Sequence, residues 1–428
     1  MKKDIMFKKL RERLTTEEIS WILYDVGNSA FTMLACSLIP IWFKSLAIGT
    51  NPGQITKDQA TAYWAMGVAI VTVIVALIGP VCGVLADHKD TKKLFFQTAV
   101  FIGVAGCILT GFTTNWVLFL AVYVISKIAY ACSLTFYDSM LNDVTTEERM
   151  DEVSSYGYAW GYIGSCIPFL IALIFYILGP DMLKLIPDFV SRLVGFGVTA
   201  GWWLMVTLPL LKVYKQKNYT EPEAHAIRNV FTKLGGTLKR IALKDRKVLL
   251  FLIAFFLYID GVGTIIDNCI NIGTDLGLNT VGQVVFLLAT QVVAWIFSLI
   301  FAGLSKKHST VNLISVCIIG YLCVCLYALT LKTLWQFGIM AFGVGMFQGS
   351  IQSLSRSYFS KIIPAENSGE YFGIYDIFAK GASFLGSAVI AWVKLAGGTI
   401  NIAVGLLAFF FLFGFIFLRL ADKQPERA

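Results

Sequence analysis

Charge is what this sequence is short of. Of 428 residues, 14% are Asp, Glu, Lys or Arg, while 57% are hydrophobic. Soluble domains carry roughly a quarter charged residues. A chain this apolar cannot cover a water-facing surface, so the soluble globular class is excluded and its surface must face lipid. Histidine is nearly missing. The three present, His88, His225 and His308, fall in polar connections between apolar runs. That removes metal or acyl-transfer chemistry built on histidines inside the membrane. No GxSxG, HExxH or P-loop is present, so the chain has no ATP site of its own. The nine cysteines form no CxxC pair and lie almost entirely in apolar runs, which argues against a disulfide framework or a zinc site. No cofactor is implied, and an enzyme is not expected.

What is there is hydrophobic sequence in long blocks. The mean hydropathy is +0.71. A spanning helix needs roughly 20 apolar residues. Apolar runs at 20–44, 60–86, 92–112, 116–141, 153–177, 190–213, 247–271, 280–304, 309–331, 334–358, 370–396 and 399–420 therefore predict twelve spans. The fold class expected is an all-α membrane protein. Residues 1–19 are polar and basic, and no small-residue cleavage site follows the first run, so that run is expected to stay as the first span. Thr15-x-x-Glu18 and Thr145-x-x-Glu148 have the capping-box pattern and predict helix starts before spans one and five.

The lysines and arginines set the orientation. Lys2, Lys3, Lys8, Lys9, Arg11, Arg13, Lys89, Lys92, Lys93, Lys306, Lys307 and a basic cluster in 214–246 all lie on one side, and few basic residues fall in the alternate loops. Positive loops stay in the cytoplasm. The expected placement is the cell (inner) membrane, multi-pass, with both termini cytoplasmic. The net charge of +8 reads as topology signal and contact with anionic lipid, with no nucleic-acid partner.

The longest polar connection, 214–246, separates 20–213 from 247–420. These are expected to be two six-helix bundles, flanked by a cytoplasmic segment 1–19 and a tail 421–428. Within the connection Ile227, Val230, Phe231, Leu234, Leu238 and Ile241 recur at helical spacing, which predicts an amphipathic helix along the interface. The halves echo one another. Tyr24-Asp25 beside Gly27 in span one matches Tyr258-Ile259-Asp260-Gly261 in span seven, as a duplicated unit would.

The scarce charges are concentrated. Spans three, six, nine and twelve have none in their cores. Asp25 is in span one, Lys127 and Asp138 in span four, Asp260 and Asp267 in span seven, Arg356 at the end of span ten, and Asp376 and Lys380 in span eleven. A charge facing lipid costs at least ~2.5–3.5 kcal/mol. Spans one, four, seven and ten should therefore line a central path, with every third span outside. At about 1.5 Å per residue, Lys127, Asp260 and Lys380 fall half-way through their spans. They are the expected substrate site, joined by Asp376, by Gln348 and Gln352 on span ten, and by Tyr158. Two structural alternatives stay open: an Asp376–Lys380 ion pair along one helix, and a Lys127–Asp25 pair that fixes packing. Paired cations and carboxylates favour a small anion or zwitterion such as an amino acid. Asp25 and Asp260 are the expected coupling carboxylates, because desolvation favours their protonated form.

Gly83-Val84-Leu85-Ala86-Asp87-His88-Lys89, followed by Lys92 and Lys93, resembles the major facilitator signature between spans two and three, with His88 where that signature has arginine. The resemblance implies a gate of Gly83, Asp87 and Lys92, to which Asp138 and Arg356 are added at the same depth. Trp21-Ile22-Leu23-Tyr24-Asp25-Val26-Gly27-Asn28, Ser154-Ser155-Tyr156-Gly157-Tyr158 and Gln352-Ser353-Leu354-Ser355-Arg356-Ser357 are similar to the vacuole-effluxer-like subgroup of that superfamily. That likeness covers the whole chain. It implies a two-lobed twelve-helix fold and alternating access. The partners expected are a small-molecule substrate, membrane lipid and a proton, and the chain is expected to be a monomer. A lipid or drug exporter on the same fold is the alternative reading. An intramembrane enzyme or receptor is a more distant one.

Overall fold

The computed structural model describes residues 14–180, 182–221, 226–269, 272–273, 276–381 and 384–425, excepting the side chains of 226–228, 280, 281, 284, 380, 381 and 384. Among these residues the fold is helical, and its only β pairings are isolated bridges at Ile48–Ile55 and His88–Thr220.

The first expected span is two helices, α1 (Thr16–Cys36) and α2 (Leu38–Ala47), bent by 40° at Ser37. The Thr15–Glu18 capping box starts α1, with both reciprocal hydrogen bonds made. Then follow α3 (Lys57–Ala86), α4 (Lys92–Phe112), α5 (Trp116–Ser139), the short α6 (Leu141–Val144), α7 (Met150–Leu178) and α8 (Asp188–Val213). The expected cap at Thr145 does not form. A 3-10 turn at Glu147–Arg149 intervenes, and the Thr145 hydroxyl instead donates to Glu18 at 2.7 Å. The connection contains α9 (Ala226–Leu243). Beyond it lie α10 (Arg246–Asp267), α11 (Thr280–Leu304), α12 (Thr310–Ala328), α13 (Leu334–Ile362), α14 (Ser368–Gly381), α15 (Phe384–Leu395), α16 (Ile400–Leu406) and α17 (Ala408–Asp422).

By length and composition, nine of the described helical segments can cross a membrane, or ten if α1 and α2 form one bent span. The two further expected spans fall on α13 and on α14 with α15. They fall short for different reasons. Helix α13 carries Gln348, Gln352, Arg356 and five serines between Ser350 and Ser360, most of them buried. That stretch of α13 is polar because it faces protein, whereas α14 and α15, of 14 and 12 residues, are each short of the roughly 20 that a span needs.

The buried apolar residues form two large clusters, one drawn from Leu14–Tyr214 and one from Ile241–Ala421. Helix α1 packs on α7 and α8, α4 on α5, α10 on α17, and α11 on α13. Contacts between the two sets run through α3 with α14, α7 with α11 and α13, and α5 with α14. Val230 and Leu234 pin α9 onto Val84 of α3. Helices α4, α8, α12 and α17 present exposed Leu109, Met205, Val316 and Phe413. These are the helices of spans three, six, nine and twelve, which carry no central charge.

Candidate functional site

The polar centre of the molecule is organised by one side chain. Arg356, on α13, is 3% exposed. Its Nη2 donates to Asp25 Oδ2 at 3.1 Å and its Nη1 to Asp138 Oδ1 at 2.9 Å. Its Nε donates to the Ser154 hydroxyl at 3.0 Å, and Nη2 also to the Ser154 carbonyl at 3.1 Å. The guanidinium carbon lies 4.5 Å from the ring centre of Trp21 and 4.7 Å from that of Tyr158. A planar fork with five donors suits this task, and an ammonium would not. Every acceptor comes from α1, α5 or α7, whereas the arginine comes from α13. The bridge therefore joins the two sets of helices.

From this floor a cavity of about 540 Å³ runs toward the end of the bundle away from α9, past Met33, Cys36, Ile266 and Asp267. Its walls come from α1, α5, α7, α10, α11, α13 and α14. None of the lining residues lies on α4, α8, α12, α16 or α17. Spans one, four, seven and ten thus line it as the charges suggested, and five, eight and eleven do so as well. Polar wall groups include Asn28, Thr32, Gln291, Gln348 and Gln352, with Tyr130, Tyr158, Tyr162 and Tyr375 among the aromatic ones.

At the α9 end the two sets are tied together. Asp87 caps the start of α14, accepting from the Gly369 N–H at 2.7 Å and the Glu370 N–H at 2.8 Å. A carboxylate at a helix N-terminus is favourable. Burial pushes the Asp87 carboxyl above its ordinary 3.8, opposed by Lys92 and by those two N–H groups. The fully buried Lys92 ammonium lies 3.5 Å from Asp87 and donates to Ser368 at 2.8 Å. The backbones of α3 and α14 cross so closely that a Cβ at Gly83 would strike the Gly369 carbonyl, and one at Gly373 would sit 2.5 Å from Pro80. On the other flank Asp151 meets Lys361 at 2.8 Å, and Glu152 meets Lys306 at 2.8 Å.

A family model described as "Vacuole effluxer Atg22 like" matches residues 15–427. The chain is 39% identical over 422 residues to the uncharacterized MFS-type transporter YxiO of Bacillus subtilis, covering 97% of each. The chain belongs to the Atg22-like family of major facilitator transporters. It is also 25% identical over 391 residues to autophagy-related protein 22 of Eremothecium gossypii, covering 84% of this chain and 76% of that one. In fold it is similar to the major facilitator transporter FucP in its outward conformation, with a TM-score of 0.71 at 16% identity over 96% of this chain and 98% of that one. It is likewise similar to the human organic anion transporter MFSD10, with a TM-score of 0.70 at 14% identity over 95% and 99%. It is a multi-pass membrane transporter and not an enzyme.

Sequence reasoning named most of the charged groups of this Atg22-like chain, and the structure distributes them unevenly. Asp25, Asp138, Asp376, Gln348, Gln352, Tyr158 and Arg356 share the cavity. Asp376 also bonds Thr135 of α5. Lys127 does not pair with Asp25. Its ammonium lies 4.6 Å from the Tyr130 ring centre and 5.5 Å from that of Phe31. Asp260 is fully buried outside the cavity lining, where it accepts from the Gly386 N–H at 3.1 Å near the start of α15. The Lys380 side chain lies outside the described residues. Gly83, Asp87 and Lys92 stand together at the α3–α14 crossing. Missed were Trp21, Ser154, Thr135 and the Asp151–Lys361 pair. Trp21 precedes Asp25 by one helical turn, the signal that could have marked it. No local signal ties Ser154 or Asp151 to residues two hundred positions away.

Proposed function

We propose that this transporter moves a small polar solute, an amino acid or a small organic anion or zwitterion, by alternating access coupled to protons. Two six-helix halves, 20–213 and 247–420, would rock about a site above Arg356. The basic loops support a cytoplasmic α9 end in a cell membrane, on which reading the conformation described would be outward-facing.

The observation that carries this reading is the Arg356 bridge. The arginine belongs to one half and its carboxylates, Asp25 and Asp138, to the other. When the halves part at the cytoplasmic end, the cation leaves with α13. Two carboxylates then stay behind in a protein interior, at several kcal/mol each if uncompensated. Protons, or a cationic group on the solute, relieve that. Coupling thus has a physical cause: the halves separate when Asp25 and Asp138 acquire substitutes for Arg356. The amides of Gln348 and Gln352 and the tyrosine hydroxyls give a bound solute neutral donors and acceptors, which favours a polar solute over a lipid or drug. One chain contains the whole cavity, so a monomer suffices.

Thermal-shift screening of purified protein against amino acids, organic acids and nucleosides tests the solute class. A hit should then exchange across proteoliposomes, and Asp138→Asn should abolish its proton-driven accumulation. Stabilisation by lipids or hydrophobic drugs alone would favour the exporter reading instead.

A further inference from the structure

We propose that the crevice between α9 and the start of α14 is a binding site for a small zwitterion, carrying an ammonium group and a carboxylate or phosphate, whose occupancy clamps the α9 end shut. The crevice has a volume of about 580 Å³ and is separate from the transport cavity.

Three observations point to a ligand. Glu370 lines the crevice, is 1% exposed, and receives a hydrogen bond from Thr237, yet its Oε1 has no partner among the described residues. A buried carboxylate oxygen left without a donor is destabilising, and an ammonium or hydroxyl entering the crevice would satisfy it. Second, α9 carries Gly235-Gly236 in mid-helix, where glycine is worse than alanine. A Cβ at either would meet nothing within 4 Å. No close packing requires these glycines, and at Gly236 the missing side chain leaves the crevice open. Third, Lys233 and Arg240 are seven residues apart, share one face of α9 and both line the crevice, opposite Glu370 and Glu221. Walls carrying both signs match a ligand carrying both. The first N–H groups of α14 are already taken by Asp87, so the anionic end falls to Arg240, with Lys233 adding positive charge to the same wall.

The ligand would link α9, which packs on α3 of the first half, to α14 of the second, beside the Asp87 cap. This does not depend on which solute is transported. The same chemistry exists in free amino acids and in the ethanolamine phosphate headgroup of a lipid.

The full chain in phosphatidylglycerol nanodiscs should be titrated with O-phosphoethanolamine and with alanine, and compared with nanodiscs containing phosphatidylethanolamine. Amide exchange over residues 365–371 is read alongside the thermal midpoint. The expected result is saturable protection of that segment. Gly236→Leu, which fills the crevice and favours the helix, and Glu370→Gln should each weaken it at least about tenfold, or ~1.4 kcal/mol. Protection by the soluble probes assigns a free solute, and protection only in phosphatidylethanolamine assigns the headgroup. Absence of protection in every arm, or protection undiminished in both variants, overturns the site.

Discussion

Arg356 shows how much one side chain can decide in a low-dielectric interior. It is bonded on three nitrogens and enclosed by Trp21, Tyr137 and Tyr158. Arg356→Ala leaves Asp25 and Asp138 facing each other without their cation. Breaking a buried pair in this way costs roughly 3–5 kcal/mol. The thermal midpoint should fall by several degrees and solute exchange should stop. Arg356→Lys keeps the charge but cannot reach two carboxylates and Ser154 at once, so exchange should drop at least about tenfold, the equivalent of ~1.4 kcal/mol in a barrier, with the protein still folded. Wild-type exchange rates in the lysine variant would show that the fork geometry is irrelevant. Asp260 offers a contrast. Its carboxylate accepts from Thr264 and the Gly386 N–H, so Asp260→Asn should lower stability through α10 and α15 more than it alters solute affinity. Exchange kinetics measured beside thermal unfolding separate the two effects.

At the scale of helices, much was legible before the structure. Apolar runs 92–112 and 280–304 coincide with α4 and α11 because hydrophobic length is a direct consequence of bilayer thickness. Breaks inside spans were not legible. Pro40, in the first turn of α2, has no N–H for the Cys36 carbonyl and crowds it, which bends α1 from α2 at Ser37, yet Pro80 and Pro168 sit inside continuous helices, so a proline alone does not mark a break. The α3–α14 crossing was partly legible. Gly83 and Asp87 followed from a motif, whereas their receptor, the start of α14, lies some 280 residues away and carries no local mark. The crossing gives its own predictions. Gly83→Leu would drive a side chain into the Gly369 backbone. It should separate α3 from α14 and speed amide exchange at Gly369 and Glu370, whose N–H groups lose Asp87. The Asp87 carboxyl, pushed up from 3.8 by burial, also sets a pH direction. The closed end binds that proton more tightly than a solvated aspartate does. Closure is therefore fully favoured below the ordinary value and loses that contribution as pH rises through the elevated one. Distances between labels on the 88–91 loop and on α14 should lengthen as pH rises through this window. Asp87→Asn should remove the slope.

For the whole molecule, the sequence pattern of charged and uncharged spans already separated a lipid-facing ring from a polar interior. What it did not contain was the pairing across the halves. Lys127 and Asp260 lie at mid-depth, yet the cavity floor is made by Asp25, Asp138 and Arg356, deeper and from three different helices. Depth follows from position along a span, but partnership across 331 residues of chain follows only from the packing of the two halves. On the proposed mechanism, that packing makes coupling a property of the whole fold. With the α9 end closed, Arg356 neutralises the carboxylates. With it open, the proposed mechanism has them take up protons or a cationic solute group. An imposed pH gradient should therefore drive accumulation of a transported solute in proteoliposomes, and a protonophore should collapse it. Asp25→Asn with Asp138→Asn should leave passive equilibration while ending accumulation, since neutral amides no longer need the proton to part from Arg356. Accumulation that persists in this double variant would place the coupling elsewhere in the cavity, with Asp376 the next carboxylate to test.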